Sequence, residues 1–167
     1  MLALLSDTHS HEDIELTDSV AETLSSASIV AHAGDLTTQT VLNQFEERAE
    51  RFVAVSGNSD NATVTERLPD WKTFTYEGYR FLVTHGHHHN STSLSLLARQ
   101  EEADVVVVGH THRAELRDKE DLLVINPGSH ADPRGREATM ATVTHTGVGL
   151  CAQIQTIEGQ PRERVNL

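Results

Sequence analysis

Asp104-Val105-Val106-Val107-Val108-Gly109-His110-Thr111-His112 runs four consecutive valines into a glycine and then two histidines one residue apart. The β-branched run predicts a strand over Asp104–Val108 buried on both faces, as in a parallel sheet covered by helices. Two imidazoles directly after such a strand are hard to explain as packing. In an extended segment, residues two apart point to the same side, so His110 and His112 are placed to face a cation together.

Outward from this stretch, apolar runs alternate with amphipathic ones. Met1–Leu5 predicts a strand, Thr17–Ser26 a short helix, Ile29–Ala33 a strand, Gln39–Ala49 a helix and Arg51–Val55 a third strand. Thr73–Thr84 reads as a hairpin turning at Glu77-Gly78, and Ser91–Glu102 as a helix capped near Asn90 or Ser91. The pattern then changes to Ala114–Lys119, Leu122–Asn126, Ala138–His145 and Leu150–Ile157, strands joined without helices. A βαβ half followed by a meander predicts an α/β fold of two packed sheets with helices outside, one domain over residues 1–167. The polar tail after Glu158 is expected to be peripheral.

Four more clusters follow predicted strands. Asp7-Thr8-His9 leaves the first, and its two outer side chains can grip one cation. Gly34-Asp35 leaves the second, where a two-oxygen carboxylate can bridge two metals and the glycine permits a tight exit. Gly57-Asn58-Ser59-Asp60 follows the third and offers an amide oxygen suited to harder ions such as Mn²⁺. Asp60 is placed to orient Asn58 or a histidine. His85-Gly86-His87-His88-His89 follows the hairpin. There His85, nearest the strand end, reads as a ligand and His87 as lying over substrate, with His88 and His89 solvated. Taken singly, several of these are ordinary turns. Together, all five lie at the carboxyl ends of strands, the edge where open α/β sheets place their ligands.

The ordered set Asp7-x-His9, Gly34-Asp35, Gly57-Asn58, His85 and Gly109-His110-Thr111-His112 resembles the calcineurin-like metallophosphoesterase superfamily. The short chain is similar to its small archaeal and bacterial phosphodiesterase subgroup, as are Asn126-Pro127-Gly128-Ser129 and Pro133-Arg134-Gly135 downstream. The resemblance implies a four-layer α/β/β/α sandwich of two mixed sheets flanked by helices. It implies that Asp7, His9, Asp35 and His112 bind one divalent ion and Asp35, Asn58, His85 and His110 a second. Manganese is expected, with iron, zinc or nickel as alternatives. A hydroxide bridging the two ions would attack a small phosphate ester. Four positive charges against the Asp7 and Asp35 carboxylates leave the site locally at about +2, attractive to an anion. Many superfamily members have a histidine where Ser59 stands, and the small subgroup usually lacks it. The general acid is therefore open between His87 and His11, with His87 nearer a predicted ligand turn.

Asn126, Gly128 and Ser129 read either as a tight turn or as a substrate loop. A scaffold of the same fold, as in the retromer subunit, is the rival reading; a phosphomonoesterase or nucleotide pyrophosphatase is another. No run approaches the ~20 apolar residues of a membrane span, and the start reads as a strand rather than a signal peptide. The formal charge is −12, with Lys72 and Lys119 the only lysines and 4% aromatic residues. This argues against nucleic acid as a partner and fits a high-salt cytoplasm. Cys151, the single cysteine, fits a reducing compartment and reads as a buried small hydrophobe. A homo-oligomer is compatible with a small two-sheet fold, although no segment marks an interface.

Overall fold

The first strand, β1 (Leu2–Leu5), shows why the strands are apolar throughout. Its Leu2 and Leu4 point into the layer between two sheets, while Ala3 and Leu5 face helices on the other side. With both faces covered, no polar alternation is tolerated, and each fully buried Leu contributes about 1.5–3 kcal/mol.

The computed structural model describes residues 1–119 and 122–167. The elements that follow β1 are α1 (Asp18–Ser26), β2 (Ile29–His32), α2 (Gln39–Arg48), β3 (Phe52–Ala54), α3 (Ala62–Arg67), β4 (Trp71–Tyr76) and β5 (Tyr79–Thr84). Then come α4 (Ser91–Gln100), β6 (Val105–Val108), β7 (Glu115–Lys119), β8 (Leu122–Asn126), β9 (Thr139–Thr146), β10 (Gly149–Thr156) and β11 (Pro161–Asn166).

Two mixed sheets form. One has six strands in the order β11-β10-β9-β1-β2-β3, the other five in the order β4-β5-β6-β8-β7. Strands β1, β2 and β3 run parallel, as do β5, β6 and β8, so their carboxyl ends share one edge in each sheet. The central layer packs Leu2 and Leu4 with Val83, Val107, Ile125 and Phe81. On the outside of the six-stranded sheet, Val20, Leu24, Leu42 and Phe45 of α1 and α2 cover Ala3 and Leu5. On the outside of the other sheet, Ala98 of α4 packs with Leu82, Val106 and Val108. This is the expected α/β/β/α sandwich.

Local rules set the boundaries. Thr17, Thr38, Asn61 and Asn90 cap α1, α2, α3 and α4 by accepting from backbone amides of the first turn, and Asn90 forms a capping box with Ser93. Glu77 and Gly78 both take positive φ, the backbone of a two-residue hairpin turn. Two features depart from expectation. The tail after Glu158 is not merely peripheral: β11 pairs antiparallel with β10 and forms the sheet edge. Helix α3, only six residues long, carries too little periodicity to be read in advance.

Candidate metal centre

The turns after β1, β2, β3, β5 and β6 meet at one edge and are stitched together through their backbones. Asp7 donates its amide to the Gly34 carbonyl at 3.0 Å, and His9 donates to the Asp35 carbonyl at 3.0 Å. Gly109 donates to the His85 carbonyl at 3.2 Å, and the His110 amide to Asp7 Oδ1 at 3.1 Å. The expected extended geometry of the ligand turns is wrong. Asp7, His9, Asp35, His110 and His112 all have φ between 49° and 69°, in the left-handed region. Non-glycine residues pay for that conformation, and such outliers cluster where surrounding structure holds a functional geometry. Asp7 and His9 still converge, but through curled backbone rather than alternation. His110 and His112 separate, His110 toward Asn58 and His112 toward Asp7.

Two trios of side chains have ligating atoms within 4.8 Å of one another: Asp7, His9 and His112, and Asp7, Asp35 and His85. Asp35 Oδ2 lies 3.2 Å from His9 Nε2 and 3.3 Å from His85 Nε2, so one oxygen touches imidazoles of both trios. Asp7 Oδ1 lies 3.3 Å from His112 Nε2, and the His9 and His112 rings stack at 4.9 Å. Asn58 Oδ1 sits 3.1 Å from His85 Nε2 and 3.0 Å from His110 Nδ1. All seven predicted ligands therefore meet in one cluster.

The residues fit divalent cations on the structure's own terms. Asp7 Oδ2 is buried with no hydrogen-bond partner, a costly state that a cation would relieve. His9 Nε2 and His112 Nε2 face each other at 3.2 Å, an arrangement of two lone-pair carriers that suits a shared ion. The second ring nitrogens are already committed: His85 Nδ1 contacts the Ala33 carbonyl at 2.7 Å and His112 Nδ1 the Asp132 carbonyl. This leaves each Nε2 aimed inward, the usual orientation of a metal-binding histidine.

Burial pushes the Asp35 carboxyl up, but hydrogen bonds from His85, His9 and the Ser59 amide outweigh it and hold it well below the usual range. Burial raises Asp7. The hydrogen bond to Asp35 raises His9, whereas burial and the nearby His85 lower His110.

The catalytic candidates fare differently. His87 is half-buried, its ring 5.3 Å from that of His85 and 6.2 Å from that of His110, and its Nδ1 is buried without a partner. His11 is exposed, and among the described residues its ring makes no hydrogen bond or ion pair with the cluster, its carbonyl accepting from the Thr38 hydroxyl at 2.9 Å. Among the described residues Asp60 makes no hydrogen bond to Asn58 or a histidine. Its two oxygens accept from the amides of Thr37 at 2.6 Å and Gly57 at 2.7 Å, tying the turns after β2 and β3 together. His88 is exposed as expected, but His89 is half-buried with its Nδ1 enclosed.

Several supporting residues escape sequence reading. Ser59 donates its amide to Asp35 Oδ1 at 2.7 Å and its hydroxyl to Oδ2 at 3.0 Å, a role visible only once the turns are folded together. Gly34 lies where a β-carbon would meet the His85 ring at 2.8 Å, a reason for glycine beyond the tight exit. The Asn126–Ser129 segment proves to be a tether. Asn126 Nδ2 donates to the Gly109 carbonyl at 2.9 Å, and Ser129 Oγ to the Asp7 carbonyl at 2.7 Å. Thr8, between two ligands, is anchored by its hydroxyl 2.8 Å from Nε2 of the buried His32.

The model of the calcineurin-like phosphoesterase superfamily domain matches residues 1–147, which contain the whole cluster. The chain belongs to that superfamily. Among its phosphoesterase relatives, a protein of Methanothermobacter thermautotrophicus named "Probable metallophosphoesterase" is 30% identical over 158 residues, 92% of this chain and 91% of that one. Phosphodiesterase MJ0936 of Methanocaldococcus jannaschii is 31% identical over 144 residues, covering 76% and 82% respectively. Among solved structures, Vps29 of Cryptosporidium parvum superposes with a TM-score of 0.83 at 18% identity over 99% of this chain and 97% of that one. The Escherichia coli phosphoesterase YfcE gives 0.75 at 22% identity over 99% and 98%. At these identities the two structures speak to the fold, and the phosphoesterase fold is what they share with this chain. No helix among the described residues is long and apolar enough to cross a membrane.

Proposed function

We propose that this chain is a metal-dependent phosphodiesterase acting on a small phosphate ester. The observation that carries the proposal is Asp35 Oδ2, one carboxylate oxygen within 3.3 Å of imidazoles from both trios. Asp7, His9, Asp35 and His112 would hold one divalent cation, and Asp35, Asn58, His85 and His110 the other, with Mn²⁺ the first choice and Fe, Zn or Ni alternatives. When bound, such a pair acidifies a water and neutralises charge on the non-bridging phosphate oxygens.

The protein's own groups do the rest. Asp60, Ser59 and Asn126 keep the turns fixed, so little reorganisation accompanies reaction. The water releases a proton to solvent, its oxygen bonds to phosphorus, the ester P–O bond breaks, and the departing oxygen takes a proton. We assign delivery of that proton to His87, whose ring lies 5.3 Å from that of His85 and 6.2 Å from that of His110. His11, exposed and joined to the described residues through its backbone carbonyl to Thr38, is not assigned that role. The formal charge of −12 and the buried Cys151 support a high-salt, reducing cytoplasm as the working compartment.

The test is hydrolysis of bis-p-nitrophenyl phosphate beside p-nitrophenyl phosphate by chelator-stripped protein, with and without Mn²⁺, in low and molar salt. Metal-dependent cleavage of the diester with little of the monoester is the expected result. Preference for the monoester would make the chain a phosphomonoesterase. No cleavage with metal bound would favour the second reading, a protein-binding scaffold, which the superposition on Vps29 supports.

A further inference from the structure

The outer face of the five-stranded sheet is only partly roofed. Helix α4 lies over β5 and β6, and beside it a cavity of ≈ 990 Å³ extends across β8 and β7. That is the upper end of the range for small-molecule sites. Its aliphatic lining is Leu94 and Ala98 of α4 together with Val108, Leu122 and Val124 of the sheet floor. Its near wall is Gly86, His89, Gly109 and His110, the same turns that carry candidate ligands. The cavity therefore opens off the metal centre itself.

The lining departs from the rest of the molecule in charge. Of 13 basic residues two are lysines, leaving 11 arginines, and four of these line the cavity: Arg99, Arg113, Arg117 and Arg136. Among the described residues, two carboxylates, Glu102 and Glu115, line it with them. Arg117 is 3.2 Å from Glu115, but Arg99, Arg113 and Arg136 form no ion pair among the described residues. In a chain of net charge −12, this is a local excess of positive charge over an apolar floor. Guanidinium groups bind phosphate oxygens in bidentate fashion and stack on flat rings.

Resting on the phosphodiesterase reading, we infer that the cavity takes one arm of the substrate, and that this arm is a nucleotide: a flat ring over the aliphatic floor with a further phosphate among Arg99, Arg113 and Arg136. The scissile phosphate then sits at the His110 end. The substrate class is a small phosphodiester with an anionic nucleotide arm, such as a short phosphorylated oligonucleotide. The lack of a stacking stripe along the chain disfavours a long polymer.

The experiment compares the dinucleotide TpT with its 5′-phosphorylated form pTpT, which differ only in the terminal phosphate. Binding is measured calorimetrically at low salt on chelator-stripped protein, where no hydrolysis intervenes. The wild type is expected to bind pTpT at least about tenfold more tightly, as a charge-assisted contact allows. The double variant Arg113→Ala/Arg136→Ala should lose that preference, and Arg113→Lys/Arg136→Lys, which keeps the charge, should retain most of it. Equal affinity of the wild type for the two compounds, or a preference that survives the double alanine variant, would overturn the inference. The two proposals separate cleanly. Preference for pTpT without any ester hydrolysis would sink the phosphodiesterase reading alone, whereas metal-dependent hydrolysis of bis-p-nitrophenyl phosphate without the preference would sink only the nucleotide arm.

Discussion

A β-carbon on Gly57 would lie 2.2 Å from Oδ1 of Asp35 and 2.5 Å from its backbone nitrogen. The turn after β3 is thus pressed against the proposed bridging carboxylate as closely as a glycine permits, and the Asp60 bond to the Gly57 amide holds it there. Gly57→Ala must displace Asp35 or open the turn. Turnover and metal affinity are expected to fall by about 10–100-fold, the usual cost of disturbing a ligand's support. Metal analysis and diester hydrolysis check this; wild-type values in both would show that the turn has slack.

Asp35→Asn is expected to abolish turnover and lower metal occupancy with the fold intact. The wild type should gain thermal stability on metal addition, by about 2.7 kcal/mol at a concentration of 100 Kd for a single site. The variant should show a much smaller gain. Full activity, or an unchanged metal-dependent shift in melting temperature, would remove Asp35 from the bridging position.

His87→Ala should lower turnover while metal content is unchanged, because among the described residues the ring stands beside His85 and His110 without a hydrogen bond to Asp7 or Asp35. The discriminating readout is the leaving group: activated p-nitrophenolate needs little proton delivery, so the loss should be larger for an alkyl ester. Equal kinetics on both esters would rule His87 out as the acid.

His130 is 5% exposed, with neither ring nitrogen hydrogen-bonded among the described residues, edge-on to Phe45 at 6.3 Å. Burial pushes its pKa down to about 4. The unfolded chain binds this proton more readily, so the stability from a neutral His130 is complete above about pH 6.5 and drains away as pH falls toward 4. The loss is about 3 kcal/mol. Burial lowers His32 in the same direction. His130→Leu should move acid unfolding of metal-free protein to lower pH. An unmoved midpoint would show that His130 finds a partner in solution.

What was legible in the sequence, and what was not, follows from how each property is encoded. The valines of β6 and the alternating environments of β1 announce themselves because a strand buried on both faces excludes polar residues over its whole length. The seven cluster residues are legible because they fall at strand ends in order. Their geometry is not: the left-handed backbone at Asp7, His9, Asp35, His110 and His112 runs against side-chain preference and is imposed by neighbouring turns. Ser59 and Asp60 act through the amides and oxygens of residues more than 20 positions away, or of their own turn, and no local pattern marks such a role. Strand β11 was hidden by its exposure, since an edge strand with Arg162, Glu163 and Arg164 has no hydrophobic signature.

The placement of β1 has a consequence for how the molecule comes into being. Leu4 pairs with Ala31 on one side and with Ala141 on the other, so the strand bearing Asp7 waits for a neighbour 137 residues away before it is enclosed. Long-range pairing of this kind folds slowly, because chain closure is paid for before the contact repays it. Asp7 leaves the six-stranded sheet after β1 and His112 leaves the five-stranded sheet after β6, so their contact at 3.3 Å joins the two sheets. On the proposed function, metal capture is accordingly an event of the finished fold rather than its nucleus, at a cradle that the polypeptide alone has had to build.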